Sequence, residues 1–176
     1  MNTLEAIYSR RSIRNFNGKS VTETQLGEIL KAAYASPVGR AMYDTLLISV
    51  VTNEESLSKW EKATGDMMEN PDLHPFYGAP TVILVSSLKN PEPGNVNYSN
   101  AAIVVQNMAL AATELKVGAC HIWGAVAALS GKTELAKELG VLEGFTPCCA
   151  LAVGQFDGDY KIREIAENRI KTTYVK

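Results

Sequence analysis

Three arginines and a serine fall within five residues near the start of the chain, at Arg10, Arg11, Ser12 and Arg14. A guanidinium is planar, permanently charged and offers parallel N–H donors that match two oxygens of a phosphate, and a serine hydroxyl can serve another oxygen. Arginines this close together repel one another unless an anion joins them. The pattern predicts a small anion site, and the alternative is a solvated basic turn, which is what most charge runs form.

Other sequence patterns that support catalysis are missing. Gly131, Lys132 and Thr133 resemble the end of a phosphate-binding loop, but the first glycine of that loop would have to stand at Val126. The sequence has no GxGxxG, GxSxG or HExxH motif, and its only histidines are His74 and His121. We therefore predict no metal site and nominate no catalytic side chain. If the protein is an enzyme, a cofactor carries the chemistry.

The composition limits the class of protein and of partner. The chain has 176 residues, 46% of them hydrophobic and 20% charged, which predicts one globular domain over residues 1–176. A net charge of -2 at pH 7 argues against nucleic acid as the main partner. No apolar run is long enough for a membrane span and the first residues lack a signal-peptide pattern. The three cysteines form no CxxC pair and are expected to be reduced, so we expect a cytoplasmic protein.

Hydrophobic periodicity and capping residues predict alternating helices and strands. Thr22 with Gln25 forms a capping box, Asn53 caps a later helix, and Gly140 is expected just beyond the end of another. The predicted helices cover residues 23–35, 54–68, 98–115 and 132–139, and the predicted strands cover residues 45–52, 81–87, 117–124 and 147–156. Residues 90–97 are predicted as a loop and residues 157–176 as a polar tail. These elements indicate an α+β or α/β layered domain with a mostly buried sheet.

Two segments carry further expectations about packing. The helix predicted over residues 98–115 has hardly any polar face, and a single domain has little interior to bury it, so we expect it to lie against a second subunit. The strand predicted over residues 45–52 is rich in β-branched residues, which suggests burial on both faces. Leu4, Ile7 and Tyr8 before the arginines, together with Ile13 and Phe16, are expected to fix the arginine segment to the core.

Five segments, in order, resemble the FMN-dependent nitroreductase superfamily: SRRSIRNF, ASPVG, GAPTVILVSS, NAAIVVQNMALAATELKVGACHIWG and PCCALAVGQFD. Together they extend over essentially the whole chain. The resemblance implies an α+β fold with a central mixed β-sheet flanked by helices, in an intertwined homodimer with FMN at the subunit interface. It also implies that residues 157–176 pack on FMN and on the partner subunit.

The resemblance assigns roles in FMN binding to the arginine segment. Arg10 would contact the phosphate or ribityl chain, Arg11 and Ser12 would contact the same region, and Arg14 would lie near the pyrimidine edge of the flavin. A positive charge at that edge would stabilise the negative charge of the reduced ring.

The resemblance also places three segments further along the chain at the flavin. Gly124 would donate its N–H to the flavin N5, because glycine permits a close approach of the backbone. Ile122 and Trp123 would pack near the ring, and Arg169 would be a final phosphate-binding cation.

The sequence departs from the family pattern after residue 36. Many members read SPSGxNxQPW, with the asparagine reaching the partner's FMN, whereas this chain reads SPVGRAMYDT. Ala41 cannot make the hydrogen bonds of that asparagine, so the resemblance leaves only backbone contacts to Pro37, Val38 and Gly39. The chain also lacks the longer helical insertions of larger members, and we expect an open or differently covered active site.

The first functional hypothesis is an FMN-dependent oxidoreductase. It would transfer hydride from NADH or NADPH through FMN to a nitroaromatic, a quinone or a similar electron-poor acceptor in a ping-pong scheme. A flavin-binding protein that serves storage or sensing without efficient turnover is the second hypothesis, because of the altered segment after residue 36. A site for another phosphorylated metabolite is the third.

Overall fold

The computed structural model describes residues 1–88 and 95–176. Residues 90–94 of the predicted loop lie outside the described residues, and the helix that follows begins at Val96. The helices are α1 (Thr3–Ser9), α2 (Glu23–Tyr34), α3 (Glu54–Met67), α4 (Val96–Glu114), α5 (Gly124–Ala127) and α6 (Thr133–Glu138), and the strands are β1 (Leu46–Val51), β2 (Thr81–Leu88), β3 (Gly118–Ile122) and β4 (Phe145–Gly154). The four predicted strands and the four predicted helices are thus confirmed, with shifted ends.

The four described strands form one sheet in the order β1-β2-β4-β3, and every neighbouring pair is antiparallel. The expectation of a mixed sheet is therefore wrong for the described strands of the chain. The connection from β1 to β2 and the connection from β3 to β4 each start and finish at the same end of the sheet. Such connections give antiparallel neighbours, whereas parallel neighbours need a crossover to the opposite end.

The outer strand β1 is less buried than its composition suggested. Val50 is 37% exposed, and the residues from Leu46 to Ile48 are half-buried. Burial on both faces was wrong for this strand, because β1 lies at the edge of the sheet and packs only partly under the helices. The central strand β2 is the one whose residues are buried along almost its whole length.

Two layers of helices cover the sheet. On one face α2 and α4 pack on Ile83, Val85 and Leu151, and on the other face α3 and α5 pack on Val82 and Leu84. At α3 and the segment before β2, the rings of Trp60 and Phe76 meet edge to face, with their centroids 4.9 Å apart. The architecture is an α+β domain.

The capping residues fix the helix ends as the sequence predicts. Thr22 and Gln25 form the reciprocal capping box of α2, and the Asn53 side chain accepts a hydrogen bond from the Ser56 N–H at 2.9 Å. Gly140 follows α6 with a φ of +83°, a left-handed conformation that glycine adopts without the steric cost of a side chain.

The surface of α1 corrects one prediction about the arginine segment. Leu4, Ile7 and Tyr8 are exposed in the single chain, so they do not anchor that segment to the core. The predicted burial of Ile13 is confirmed: Ile13 is 2% exposed and packs with Phe156 and Tyr160, and the partly buried Phe16 packs against them. One side of α4 is also open, with Ala102 exposed and Ile103 half-buried.

Residues 157–176 contain no helix or strand. The first part of this tail is held against the rest of the chain, through contacts of Asp157, Asp159, Tyr160 and Arg163. Ile170, Tyr174 and Val175 beyond it are exposed. Among the described residues, no helix is both long enough and apolar enough to cross a bilayer.

All three cysteines are free thiols. Burial raises the pKa of Cys148 to about 11, and burial also raises the pKa of Cys149. These two thiols are therefore protonated near neutral pH.

Candidate functional site

The arginine segment lies along the outer side of β3, the last strand in the sheet order. The Ile13 N–H donates to the Ala119 carbonyl of β3 at 2.9 Å, and the Arg10 N–H donates to Ala6 at the end of α1. The buried Ile13 thus holds the backbone between the arginines, while the side chains of Arg11 and Arg14 are exposed. The local fold presents charged side chains at the edge of a rigid strand.

Arg10, Arg11, Arg14 and Arg163 form a cluster of positive charges beside β3. Partial burial lowers the pKa of Arg10, and the nearby charge of Arg163 lowers it further. Within residues 1–88 and 95–176, none of these four arginines forms an ion pair with a carboxylate. Adjacent guanidiniums without a counter-ion form a site that favours an anion.

Two side chains of β3 line this cluster and are uncharged near neutral pH. Burial raises the pKa of Cys120, although Arg14 and Ser12 beside its thiol oppose that shift. Desolvation lowers the pKa of His121, and the charge of Arg10 lowers it further. The strand therefore adds no negative charge that would compete with a bound anion.

Arg163 adds a cation to the cluster that no sequence motif indicated. Its backbone N–H and its Nε both donate to the Tyr8 carbonyl, at 3.2 and 3.0 Å, which ties the tail to the end of α1. The preceding Tyr160 hydroxyl donates to the Val117 carbonyl at 2.9 Å and anchors the same stretch. No motif or spacing in the sequence separated Arg163 from the other charges of the tail. The predicted Arg169 is exposed, and the described contacts do not join it to the cluster.

The turn from β3 into α5 contains the second group of predicted residues. Ile122 is buried, whereas Trp123 is 63% exposed and its ring meets the Tyr98 ring edge to face at 6.4 Å between centroids. A β-carbon built on Gly124 would meet only Met68 Cε, at 3.5 Å, an ordinary contact. Packing within the chain therefore does not require glycine there, and the absence of a side chain leaves the backbone open to an external group.

A buried hydrogen bond fixes this turn. Trp60 of α3 donates from Nε1 to the Ala125 carbonyl at 2.6 Å. Ala125 directly follows Gly124, so the orientation of the Gly124 backbone depends on the core on that side of the sheet.

The third predicted group, residues 37–39, lies on a different side of α4 from the turn after β3. The Gly39 N–H donates to the Asn100 Oδ1 at 3.1 Å, which holds residues 37–39 against this helix. Asn100 and Tyr98 are two residues apart and so point about 200° apart around the helix axis. Because Tyr98 contacts Trp123, the structure does not bring residues 37–39 together with the β3 turn in a single chain.

The departure from the family pattern has a structural counterpart. Arg40 and Ala41 have φ values of 56° and 53°, the left-handed region in which asparagine is more easily accommodated than alanine. The Tyr43 hydroxyl donates to the Ser36 carbonyl at 3.0 Å and closes the loop. The turn is thus formed without the asparagine side chain.

A groove of about 740 Å³ opens beside the β3 turn. Tyr98 and Trp123 line one end of it, and residues of α5, α6 and the start of β4 line the rest, including Leu129, Phe145 and Pro147. Its volume is in the range of small-molecule sites. In the described part of the chain, no group of three or more His, Cys, Asp or Glu side chains could hold a metal ion.

Comparison with known proteins gives a consistent set of relatives. The chain is 34% identical over 162 residues to a Methanothermobacter thermautotrophicus protein provisionally named NADH dehydrogenase/NAD(P)H nitroreductase. That alignment covers 88% of this chain and 77% of the relative. It is 26% identical over 165 residues to FMN reductase (NADPH) of Bacillus subtilis, in an alignment that covers 87% of this chain and 65% of the relative.

Solved structures match over the full length. A nitroreductase with bound FMN from Desulfitobacterium hafniense is 26% identical with a TM-score of 0.83, over 100% of both chains. Another with bound FMN, from Bacteroides fragilis, is 26% identical with a TM-score of 0.81, over 99% of this chain and 100% of that one. Residues 7–155 match the nitroreductase family itself. The chain belongs to the nitroreductase family.

Proposed function

We propose that the chain is an FMN-dependent NAD(P)H oxidoreductase that reduces electron-poor aromatic acceptors. The observation that supports this most directly is the cluster of guanidiniums at Arg10, Arg11, Arg14 and Arg163 beside β3, none of which forms an ion pair with a carboxylate of residues 1–88 and 95–176. A phosphate supplies the charge that this cluster lacks. Membership of the nitroreductase family and the FMN in the two structural relatives identify the phosphate-bearing cofactor as FMN.

The residues around the cluster fit the parts of this cofactor. Arg10, Arg11, Ser12 and Arg163 bind its phosphate and ribityl chain, and the charge of Arg14 serves the pyrimidine edge of the ring. Arg169, which lies further along the tail, is retained as an additional phosphate contact.

The turn after β3 serves the ring itself. Gly124 offers its backbone N–H to the flavin N5, an approach that its missing side chain permits. Ile122 and Trp123 pack beside the ring.

When bound, FMN accepts two electrons from NADH or NADPH and passes them to an acceptor in a ping-pong cycle. The aromatic end of the neighbouring groove, formed by Tyr98 and Trp123, offers rings against which a planar nitroaromatic or quinone can pack. No side chain of the site is assigned as a proton donor, because the flavin supplies the redox chemistry and the chain binds and positions it.

A homodimer completes the proposed site. Residues 37–39 lie on a different side of α4 from the β3 turn, so they reach FMN only from a second copy of the chain. The exposed apolar residues of α1 and of the tail, including Leu4, Ile7 and Tyr174, supply surface for such a contact. Residues 157–176 then pack against the partner subunit and FMN.

Steady-state kinetics test the proposed reaction. Initial rates of NADH or NADPH oxidation, measured at several fixed concentrations of menadione and then of a nitroaromatic, are expected to give parallel double-reciprocal lines. Intersecting lines would contradict the ping-pong scheme. Retention of FMN without steady-state turnover would favour storage or sensing instead.

A further inference from the structure

The turn that leads into β2 has an unusual backbone at a residue with a large side chain. Tyr77 has a φ of 54°, in the left-handed region that an L-residue with a bulky side chain seldom adopts, and Gly78 follows with a φ of 79°. Two hydrogen bonds hold this conformation: the Tyr77 N–H donates to the His74 carbonyl at 3.1 Å, and the Phe16 N–H donates to the Tyr77 carbonyl at 3.3 Å. Strained backbone of this kind persists where the surrounding structure enforces it, and it concentrates at functional sites.

The ring that this backbone presents lies against an arginine of the candidate site. Arg14 Cζ is 5.8 Å from the centroid of the Tyr77 ring, within the range of a cation–π contact. On the side of β3, the same guanidinium lies beside the Cys120 thiol. Arg14 is therefore flanked by an aromatic ring and a neutral thiol, and its charge remains available to a ligand.

We propose that Tyr77 is a positioning residue that holds the Arg14 guanidinium toward the bound flavin through its aromatic face. The inference rests on the proposed function, because it assigns Tyr77 a role at the same FMN site. Tyr77 acts through Arg14 and takes no part in electron transfer.

The attachment of the turn to the core explains how it can fix the position of a cation. Phe76, which precedes Tyr77, is buried and packs edge to face on Trp60. Trp60 in turn donates to Ala125, beside Gly124. The same buried pair thus supports both the ring under Arg14 and the backbone offered to the flavin N5, so that the two contacts are held in one fixed arrangement.

The affinity of the chain for FMN tests the proposal through a double-mutant cycle. Tyr77→Leu keeps a bulky side chain on the strained backbone but removes the aromatic face, and it is expected to raise the Kd for FMN by about two- to fivefold. Tyr77→Phe keeps the face and should bind FMN as the unmodified chain does. In an Arg14→Gln background, Tyr77→Leu should have no further effect. Tyr34→Leu, at an exposed tyrosine of α2, is the matched control and should leave the Kd unchanged.

An effect of Tyr77→Leu that is equally large in the Arg14→Gln background would overturn the proposal, because Tyr77 would then act without Arg14. Equal affinities for Tyr77→Leu and Tyr77→Phe would also overturn it.

Nuclear magnetic resonance of the FMN-free protein separates this inference from the proposed function. A ring above the guanidinium shifts the side-chain proton signals of Arg14 upfield, and that shift should disappear in Tyr77→Leu and persist in Tyr77→Phe. An Arg14 signal that is insensitive to Tyr77→Leu would contradict the positioning role even if the chain binds FMN. The expected shift in a chain that fails to bind FMN would support the Tyr77–Arg14 contact and contradict the proposed function.

Discussion

Replacing Trp60 by phenylalanine should destabilise the protein and weaken FMN binding together. The indole N–H donates to the Ala125 carbonyl at 2.6 Å in the interior. That carbonyl has no helical partner to replace the indole, because the Leu129 N–H bonds to Val126 instead. A phenylalanine therefore leaves a buried carbonyl without a donor.

The magnitude follows from two contributions. A buried carbonyl left without its hydrogen bond costs about 1–3 kcal/mol. The smaller ring also leaves a gap against Phe76 that costs roughly a further 1 kcal/mol. The free energy of unfolding should fall by about 2–4 kcal/mol in total, which moves the urea midpoint down by roughly 1–2 M.

Urea unfolding of the FMN-free protein, followed by circular dichroism, measures this change. Trp123→Phe is the matched control, since Trp123 is largely exposed, and its free energy of unfolding should change by less than about 0.5 kcal/mol. Loss of the Trp60 bond to Ala125 should also displace the neighbouring Gly124 and weaken its proposed hydrogen bond to the flavin. The loss of one hydrogen bond corresponds to a Kd for FMN about fivefold higher for Trp60→Phe, which an FMN titration measures. A Trp60→Phe protein as stable as the Trp123→Phe protein would refute the role given to the buried hydrogen bond.

Three further changes test separate parts of the structure. Ala41→Gly should raise the free energy of unfolding by about 0.5–1 kcal/mol in thermal or urea melts, because the left-handed φ of 53° is costly for alanine and not for glycine. Ala35→Gly is the control: φ is -85° there, so glycine should lower the free energy of unfolding. Arg10→Met should raise the Kd for FMN by roughly 10–100-fold in a fluorescence titration, and unchanged affinity would return the segment to a solvated basic turn. The pKa of His121 in the folded state lies below its ordinary value of 6.5. The unfolded state therefore binds more protons than the folded state, and the free energy of unfolding falls as the pH drops below about 6.5. Urea midpoints should therefore fall less steeply between pH 8 and pH 5 for His121→Gln than for the unmodified protein. Parallel profiles of the two proteins would rule out a contribution of His121 to the pH dependence.

Local sequence signals predicted the elements well because they depend on neighbouring residues. The capping box of Thr22 and Gln25 and the C-terminal Gly140 act within one turn of their helices, so the sequence alone contains the information. The edge position of β1 was missed, since β-branched residues are favoured in edge and central strands alike.

The candidate site was predicted less completely, because its parts come together only through the fold. Arg10 and Arg14 were recognisable from their spacing, whereas Arg163 reaches Arg10 from about 150 residues away, through the hydrogen bonds of the tail to Tyr8. The ring of Tyr77 joins the site for the same reason, through a turn whose backbone conformation no motif encodes.

The absorption spectrum of the purified protein shows directly whether the chain binds FMN and whether NADH or NADPH reduces it. The protein should be yellow with one FMN per chain, and its flavin absorption should be bleached under anaerobic conditions on addition of NADH or NADPH. A colourless protein whose melting temperature is unaffected by added FMN would contradict the flavin site, and a flavin that neither nucleotide bleaches would contradict the assignment of the electron donor.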